Sequence, residues 1–422
     1  MAVNMELKIE LNDAKRFIEN HVAMRDRAIE KNFGHSILWI SGPPGIGKSD
    51  VFEQICTERG WGLNVAYVAT MLLEQITGLP KVGGFSPALT WLSELVKKLG
   101  NISLFGKTID IPEVKAPRDS LYTKWSLPEL FSFKNLRVKP KDPDKSPMIL
   151  LLDDAHLCNK TIQGYLFQLL TYRSIHNHKL PDNVSIIMAG NRSDDKAGFQ
   201  QILAPVANRI FFLDVDSDVD AWTKNFAIPK GLRQDIISFM QYYPTYLQST
   251  PLESRAWASP RSWTNAAYTL DEYEKSSGNT RMENGSIFQI LKGHVGDDYA
   301  TKFIEYRTLL MQWDAEGILL GRTKVDWNDF IKNKVKAYSC ITAVTNELIK
   351  IMRPKNFKAT KDDKNILDGY RHVIEKMTNV ARPIVPLGLK LLIYEEKEKG
   401  SVDFTRKVLK GNPDLKELAK VI

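Results

Sequence analysis

The sequence predicts an α/β fold in which helices cover both faces of a parallel sheet, followed by a mainly helical region. Three observations support it. Short apolar runs alternate with helical segments along the first half of the chain, a glycine-rich loop joins one such run to a helix, and strand-like runs end near residue 217. With 422 residues, the chain is long enough for two or three domains.

The composition is that of a globular protein. Hydrophobic residues make up 43% and charged residues 26%, which argues against a disordered or fibrous chain. The net charge of +8 permits contact with nucleic acid, but a solvated surface is the favoured explanation. Three cysteines are too few for a disulfide framework or a zinc site, and they fit a reducing compartment: Cys56, Cys158 and Cys340.

The same composition predicts a cytoplasmic protein without membrane insertion. The N-terminal segment lacks the apolar core of a secretory signal. No uninterrupted apolar run reaches the ~18 residues of a membrane-spanning helix.

The elements of the first 70 residues follow from their periodicity. Residues 11–31 predict an amphipathic helix with Asn12 or Asp13 as its cap. The apolar run at 36–41 predicts a buried strand between glycines. A helix at 48–59 and a strand at 63–68 follow.

The next segment, about 81–147, is predicted to be an irregular insertion with a helix near 88–99 and a loop at 137–147, where prolines and charges concentrate. Beyond it the alternation resumes and then gives way to helices. The expected elements are a strand at 148–152, a helix at 160–173, a strand at 184–189, a helix at 199–207, a strand at 209–213 and a loop at 274–285.

A phosphate-binding loop is predicted between the first buried strand and its helix. The pattern G-x-x-x-x-G-K-S places backbone N–H groups around an anion at a helix N-terminus. Lys48 is expected to reach the terminal phosphates of a nucleotide, and the Ser49 hydroxyl to hold Mg²⁺. The nucleotide-binding set is Gly42, Pro43, Pro44, Gly45, Ile46, Gly47, Lys48, Ser49 and the adjoining Asp50.

A second half of the same site is predicted where later strands end. Asp153 and Asp154 follow the run MILLL, and they are the expected Mg²⁺ ligand and water-polarising base. An acidic turn after a core strand is the alternative. Asn191 follows another strand and would orient the attacking water, with a turn-forming asparagine as the alternative. His156 is interpreted as structural.

Taken in order, these motifs resemble an AAA+ ATPase, specifically the MoxR-like and dynein-related branch. The resemblance covers about residues 34–265. It is carried by GPPGIGKSD at 42–50, ITGLP at 76–80, TKWSLPELF at 123–131, LLLDDAHL at 150–157, LPDNVSIIMAGNR at 180–192, ILAPVANRIFFLDV at 202–215 and SPRSW at 259–263.

The resemblance implies a role for each matching residue. Lys48 and Ser49 belong to Walker A, and Asn191 occupies the sensor-1 position. Arg209 matches the arginine finger and Arg261 matches sensor 2. Asp153 and Asp154 occupy Walker B, where the family usually has Asp-Glu, so the base is one methylene shorter here.

The resemblance also implies a domain organisation. Residues 1–217 would form the AAA+ nucleotide-binding domain, a three-layer P-loop NTPase, 218–295 a helical lid and 296–422 a helical C-terminal extension. ATP and Mg²⁺ would bind between subunits of a ring, a hexamer in the family. A surface arginine at a helix end is the alternative for Arg209, with Arg192 and Arg255 as other candidates for the finger.

The expected function is an Mg-ATP-dependent ATPase that remodels a protein client or adaptor. The alternative is a DNA- or virion-associated motor that nucleic acid stimulates. Aromatic residues of the insertion face either a partner or the core: Trp91, Phe105 and Trp125. Basic stretches at Lys350–Lys364 and Arg406–Lys410 are either an interaction surface or a solvated helix face.

Overall fold

The computed structural model describes most of the chain. The described residues are 9–31, 36–83, 102–104, 107–109, 122–195, 200–249, 255–278, 282–358, 360, 363–397, 405 and 408. The predicted helix near 88–99, Trp91, Phe105 and the basic residues Arg406, Lys407 and Lys410 lie outside them.

A six-stranded parallel sheet forms the centre of the N-terminal half, in the order β1-β12-β2-β11-β8-β3. Every residue of β2, β8 and β11 is buried, as strands covered on both faces require. The described strands are β1 Ile9–Glu10, β2 Ile37–Ser41, β3 Gly62–Tyr67, β4 Pro80–Gly83, β5 Ile102–Leu104, β6 Lys107–Ile109, β7 Tyr122–Trp125, β8 Met148–Asp153, β9 Ser174–Ile175, β10 His178–Lys179, β11 Val184–Gly190 and β12 Ile210–Asp216.

Helices lie against both faces of this sheet, so the predicted three-layer α/β fold is confirmed. On one face Ile18 of α1 and Phe52 of α2 pack on the sheet, and on the other Leu166 of α4 does. The described α-helices are α1 Leu11–Lys31, α2 Lys48–Arg59, α3 Leu73–Thr77, α4 Lys160–Tyr172, α5 Ala204–Ala207, α6 Val219–Trp222, α7 Gln234–Tyr242, α8 Pro260–Ser276, α9 Asn284–Val295, α10 Asp297–Met311, α11 Ala315–Leu319, α12 Asp329–Lys332, α13 Lys334–Met352, α14 Lys364–Ala381 and α15 Val385–Lys397.

The helix predicted at 11–31 is confirmed as α1, but its predicted cap is wrong, and so are the bounds of the helix predicted at 199–207. α1 begins at Leu11, directly after β1 pairs with β12, so Asn12 and Asp13 lie inside its first turn instead of capping it. The helix predicted at 199–207 is reduced to α5. Before α5, the buried Gln163 side chain binds the backbone of residues 201 and 203, so these groups are held outside a helix.

The predicted insertion is not wholly irregular, because it contains two antiparallel pairs, β4 with β7 and β5 with β6. The ring of Trp125 stacks on His176 with centroids 3.8 Å apart, and the Trp125 carbonyl lies 2.9 Å from a ring nitrogen of His178. Trp125 therefore packs against the β9–β10 hairpin of its own chain. This contact favours the packing alternative for Trp125.

The described residues after β12 form helices only, as predicted. A single hydrophobic core extends from Val219 to Val408, so the helices before and after residue 295 pack together. The division of these helices into two domains stays a prediction. None of the helices that the structure describes combines the length and the apolar character needed to cross a membrane.

Phe239 of α7 lies at the centre of this helical core, so its substitution tests the described packing. The fully buried ring contacts five other aromatic rings, so Phe239→Ala leaves a cavity and should lower the free energy of unfolding by about 3–5 kcal/mol. Tyr273→Ala is the matched control because its ring is 56% exposed, and a change below about 0.5 kcal/mol is expected. Urea denaturation measures both, and equal losses would contradict the described packing.

Candidate functional site

The loop between β2 and α2 has a backbone that only glycine accommodates well. Gly45 and Gly47 have φ angles of 82° and 94°, in the left-handed region. A Cβ on Gly42 would lie 2.5 Å from the Val215 carbonyl oxygen, and one on Gly45 would lie 2.8 Å from Ser259 Oγ. The loop is therefore enclosed by β12 on one side and by the start of α8 on the other.

The Lys48 ammonium lies inside this loop with three acceptors. Its Nζ donates to the carbonyl oxygens of Gly42 at 2.8 Å and Pro43 at 2.9 Å, and to Asn191 Oδ1 at 2.9 Å. Burial lowers the pKa of Lys48 from 10.5 to about 8, against the opposing charges of nearby aspartates, Asp153 first among them. A buried cation is thus held where a phosphate would meet it.

Ser49 joins this loop to the end of β8. Its hydroxyl donates to Asp153 Oδ2 at 2.6 Å, and Asp153 Oδ1 accepts from the Asp154 backbone N–H at 3.0 Å. A serine hydroxyl and a carboxylate are the hard oxygen ligands that Mg²⁺ prefers. The pair therefore fits the predicted metal site.

Asp154 and Asn191 follow two adjacent strands at the same edge. Asp154 has a left-handed φ of 53°, and it is close enough to influence the charge of Lys48. The amide of Asn191 lies between Lys48 and His156, with its nitrogen 3.1 Å from His156 Nε2. Parallel strands end at a common edge, so residues far apart in sequence meet here.

Arg209 lies at the opposite end of the sheet. Its carbonyl accepts from the first residue of β2 at 2.8 Å, whereas the glycine-rich loop leaves the far end of that strand, roughly 16 Å away. Its guanidinium donates to the Pro205 carbonyl at 2.8 Å and covers the Phe167 ring at 4.5 Å. Arg209 therefore does not reach the phosphate loop of its own chain.

Arg261 lies beside that loop. Its backbone N–H, in the first turn of α8, donates to the Gly45 carbonyl at 3.0 Å. The competing Arg192 is engaged with Asp195 at 3.4 Å and Asp216 at 3.7 Å. Arg255 is exposed on the segment before α8.

A cleft of about 790 Å³ separates α2 from the helices that follow β12. Its walls combine loop backbone and aromatic rings with polar and charged side chains. The aromatic part of this lining is suited to a heterocyclic base. Residues that line the cleft include Gly45, Ile46, Trp222, Phe226, Asn265 and Tyr268.

Sequence reasoning missed two contacts of this site. One is the docking of Ser259 and α8 on the glycine loop, and the other is the contact between His156 and Asn191. The Ser-Pro start of α8 and the histidine close behind the aspartates were visible signals. Their partners were not, because they lie on segments distant in the chain.

The chain resembles solved structures only remotely. A point mutant of Thermotoga maritima RuvB is 12% identical with a TM-score of 0.31, over 80% of this chain and 84% of that one. The RuvB Holliday junction branch migration motor of Thermotoga maritima is 12% identical with a TM-score of 0.28, over 82% and 89%. The Aeropyrum pernix ORC2 protein, in ADPNP–ADP complexes, is 12% identical with a TM-score of 0.31, over 94% and 98%.

No protein-family model matches the chain, and no curated protein matches it. Structural similarity this distant supports no statement about activity.

The lowered pKa of Lys48 predicts how stability depends on pH without nucleotide. Between pH 8 and 10.5 the Lys48 side chain has lost its proton in the folded state but keeps it in the unfolded state. The free energy of unfolding therefore increases with rising pH. Between these pH values, the free energy of unfolding of wild type should increase by about 2–4 kcal/mol relative to that of Lys48→Met. Urea denaturation at several pH values measures the difference.

The exposed Lys179 provides the control for this prediction. Its side chain is 71% exposed, so the pH dependence of Lys179→Met should run parallel to that of wild type. A Lys48→Met curve that also runs parallel to wild type would contradict the burial of the Lys48 charge.

Proposed function

We propose that this protein is an Mg-ATP-dependent ATPase of the AAA+ type. The observation that carries the proposal is the hydrogen bond between Ser49 and Asp153, 104 residues apart, beside the bond from Lys48 to Asn191. These contacts join the two halves that a P-loop nucleotidase needs, a phosphate cradle and a metal-binding carboxylate.

The nucleotide would lie across the loop with its base in the cleft. Backbone N–H groups of the glycine loop and the N-terminus of α2 would bind the phosphates, with Lys48 on the terminal ones. Trp222, Phe226 and Tyr268 offer apolar and aromatic surface for the base, and Asn265 offers a hydrogen-bonding amide.

Hydrolysis would be an in-line attack of water on the terminal phosphate. Asp154 would accept the proton of that water, and Asn191 would hold it in line through its amide oxygen. Ser49 and Asp153 would hold Mg²⁺, which neutralises charge on the phosphates when bound. Lys48 would stabilise the negative charge on the transferred group.

Arg209 would act on the nucleotide of a neighbouring subunit. Its position at the opposite end of the sheet supports a role in trans, since no movement of one side chain spans that distance. Hydrolysis would then require assembly into a closed ring, for which we propose the hexamer of the resembled family. A head-to-tail interface of this kind closes into a ring.

The contact between Arg261 and Gly45 supports a coupled lid. Because the start of α8 lies on the phosphate loop, a phosphate bound there would meet Arg261, and its release would free the helix. We propose that the resulting movement remodels a protein partner, as in the MoxR-like branch. Stimulation by a co-purified protein would support this, and salt-dependent stimulation by DNA would replace it with the nucleic-acid alternative.

Two substitutions separate binding from hydrolysis. Lys48→Ala should weaken ATP binding about ten- to hundredfold and abolish turnover, because a charge-assisted contact to phosphate is lost. Asp154→Asn should keep the affinity within about threefold but lower kcat at least a hundredfold, as expected for loss of a general base. Calorimetry and phosphate release measure the two effects.

The exposed Lys179→Ala should alter neither affinity nor turnover, which controls for loss of a positive charge. Binding of ATP by Lys48→Ala at wild-type affinity would contradict the phosphate-loop assignment. Wild-type turnover by Asp154→Asn would contradict only the assignment of the base.

Complementation between two inactive variants tests the trans role of Arg209. Arg209→Ala should bind ATP but not hydrolyse it when assembled. Co-expression with Lys48→Ala should restore turnover, because about a quarter of random interfaces then combine an intact Lys48 with an intact Arg209.

Co-expression of Arg209→Ala with the Lys48→Ala/Arg209→Ala double variant is the matched control. It contains no arginine at this position and should stay inactive. Lack of recovery in the first mixture, although both variants co-assemble, would refute catalysis in trans.

A further inference from the structure

His156 is a buried histidine that the catalytic scheme above does not use. It lies in the 3₁₀ turn Ala155–Leu157 after β8 and is 1% exposed. Its backbone carbonyl accepts from the Gln200 N–H at 2.8 Å. Its ring packs on the end of β11, since a Cβ on Gly190 would lie 3.0 Å from His156 Nδ1.

The partner of the His156 ring is the residue proposed to hold the attacking water. His156 Nε2 lies 3.1 Å from Asn191 Nδ2, and Asn191 Oδ1 lies 2.9 Å from Lys48 Nζ. The amide of Asn191 is therefore held from both sides, by a cation at the phosphate end and by an imidazole behind it.

The donors and acceptors of these groups permit one orientation of the amide. A lysine ammonium can only donate, so the amide atom that faces Lys48 must be the oxygen. The amide nitrogen then faces His156, and Nε2 must accept its hydrogen bond. His156 is consequently neutral, with its proton on Nδ1.

We infer that His156 is a positioning residue that keeps the amide oxygen of Asn191 directed at the phosphate site. This inference rests on the proposed ATPase function. With the oxygen so directed, Asn191 accepts a hydrogen from the attacking water. Rotation of the amide would instead aim two N–H donors at Lys48 and the water.

Loss of the His156 acceptor would leave a buried amide N–H without its partner. An unpaired buried N–H is destabilising, so the amide would then adopt other orientations as well. Nucleotide binding uses other groups and should be spared, whereas the in-line geometry of the water should suffer. A histidine that only fills space would not produce this split.

The test compares His156→Phe, which lacks an acceptor, with His156→Gln, whose amide oxygen can replace Nε2. In the full-length assembled protein with Mg-ATP, His156→Phe should lower kcat about ten- to hundredfold with KM within threefold. His156→Gln should stay within about threefold of wild-type kcat. His21→Phe, a substitution of another buried histidine at the sheet, should leave kcat unchanged.

The same substitutions in an Asn191→Ala background complete the test. There, His156→Phe should change kcat by less than about twofold, because the amide it would orient is gone. Additive losses in that background, or an unchanged kcat of His156→Phe alone, would overturn the inference. The inference would also be overturned if neither His156→Phe nor His156→Leu folds, since His156 would then be needed for stability.

The outcomes also separate this inference from the proposed function. Absence of Lys48-dependent ATP hydrolysis in wild type would refute the ATPase function itself. Wild-type hydrolysis with an unaffected His156→Phe would refute only the role of His156.

Discussion

The hydrogen bond from the Ser49 hydroxyl to Asp153 is the contact on which the proposed site depends. Ser49 lies in the first turn of α2, the helix after β2, and Asp153 ends β8. These strands are not neighbours, because β11 lies between them and pairs in parallel with both. The common direction of the three strands brings phosphate loop, carboxylates and Asn191 to one edge of the sheet.

A buried cation at this edge has consequences for the empty and the loaded protein. Burial disfavours the charged form of Lys48, and carbonyl and amide oxygens satisfy its donors without neutralising its charge. A bound phosphate would add negative charge to that of the nearby aspartates. The site is therefore electrostatically prepared for an anion before any nucleotide binds.

Two elements beyond the sheet bear on how this edge is used. The start of α8 lies on the glycine loop, so the helical half directly contacts the loop that we propose binds the phosphates. His156 holds Asn191 from behind and fixes which atom of its amide faces the reaction. Arg209 lies away from both, which is why we propose that it acts on the nucleotide of a second copy.

Much of this protein follows from local sequence. Apolar runs of four to seven residues predicted the central strands, and the G-x-x-x-x-G-K-S pattern predicted the loop, because both depend on nearest neighbours and backbone freedom. The placement of Asp153 and Asn191 beside Lys48 also followed, since parallel strands share an edge.

Local sequence could not determine contacts between distant segments. Five features each depend on a partner from elsewhere in the chain. They are the short α5, the start of α1 after β1, the stack of Trp125 on His176, the docking of α8 on Gly45 and the contact of His156 with Asn191. Periodicity records which face of an element is apolar, but not which element covers it. Only the folded chain decided those pairings, because they depend on strand order and on the packing of the helices around it.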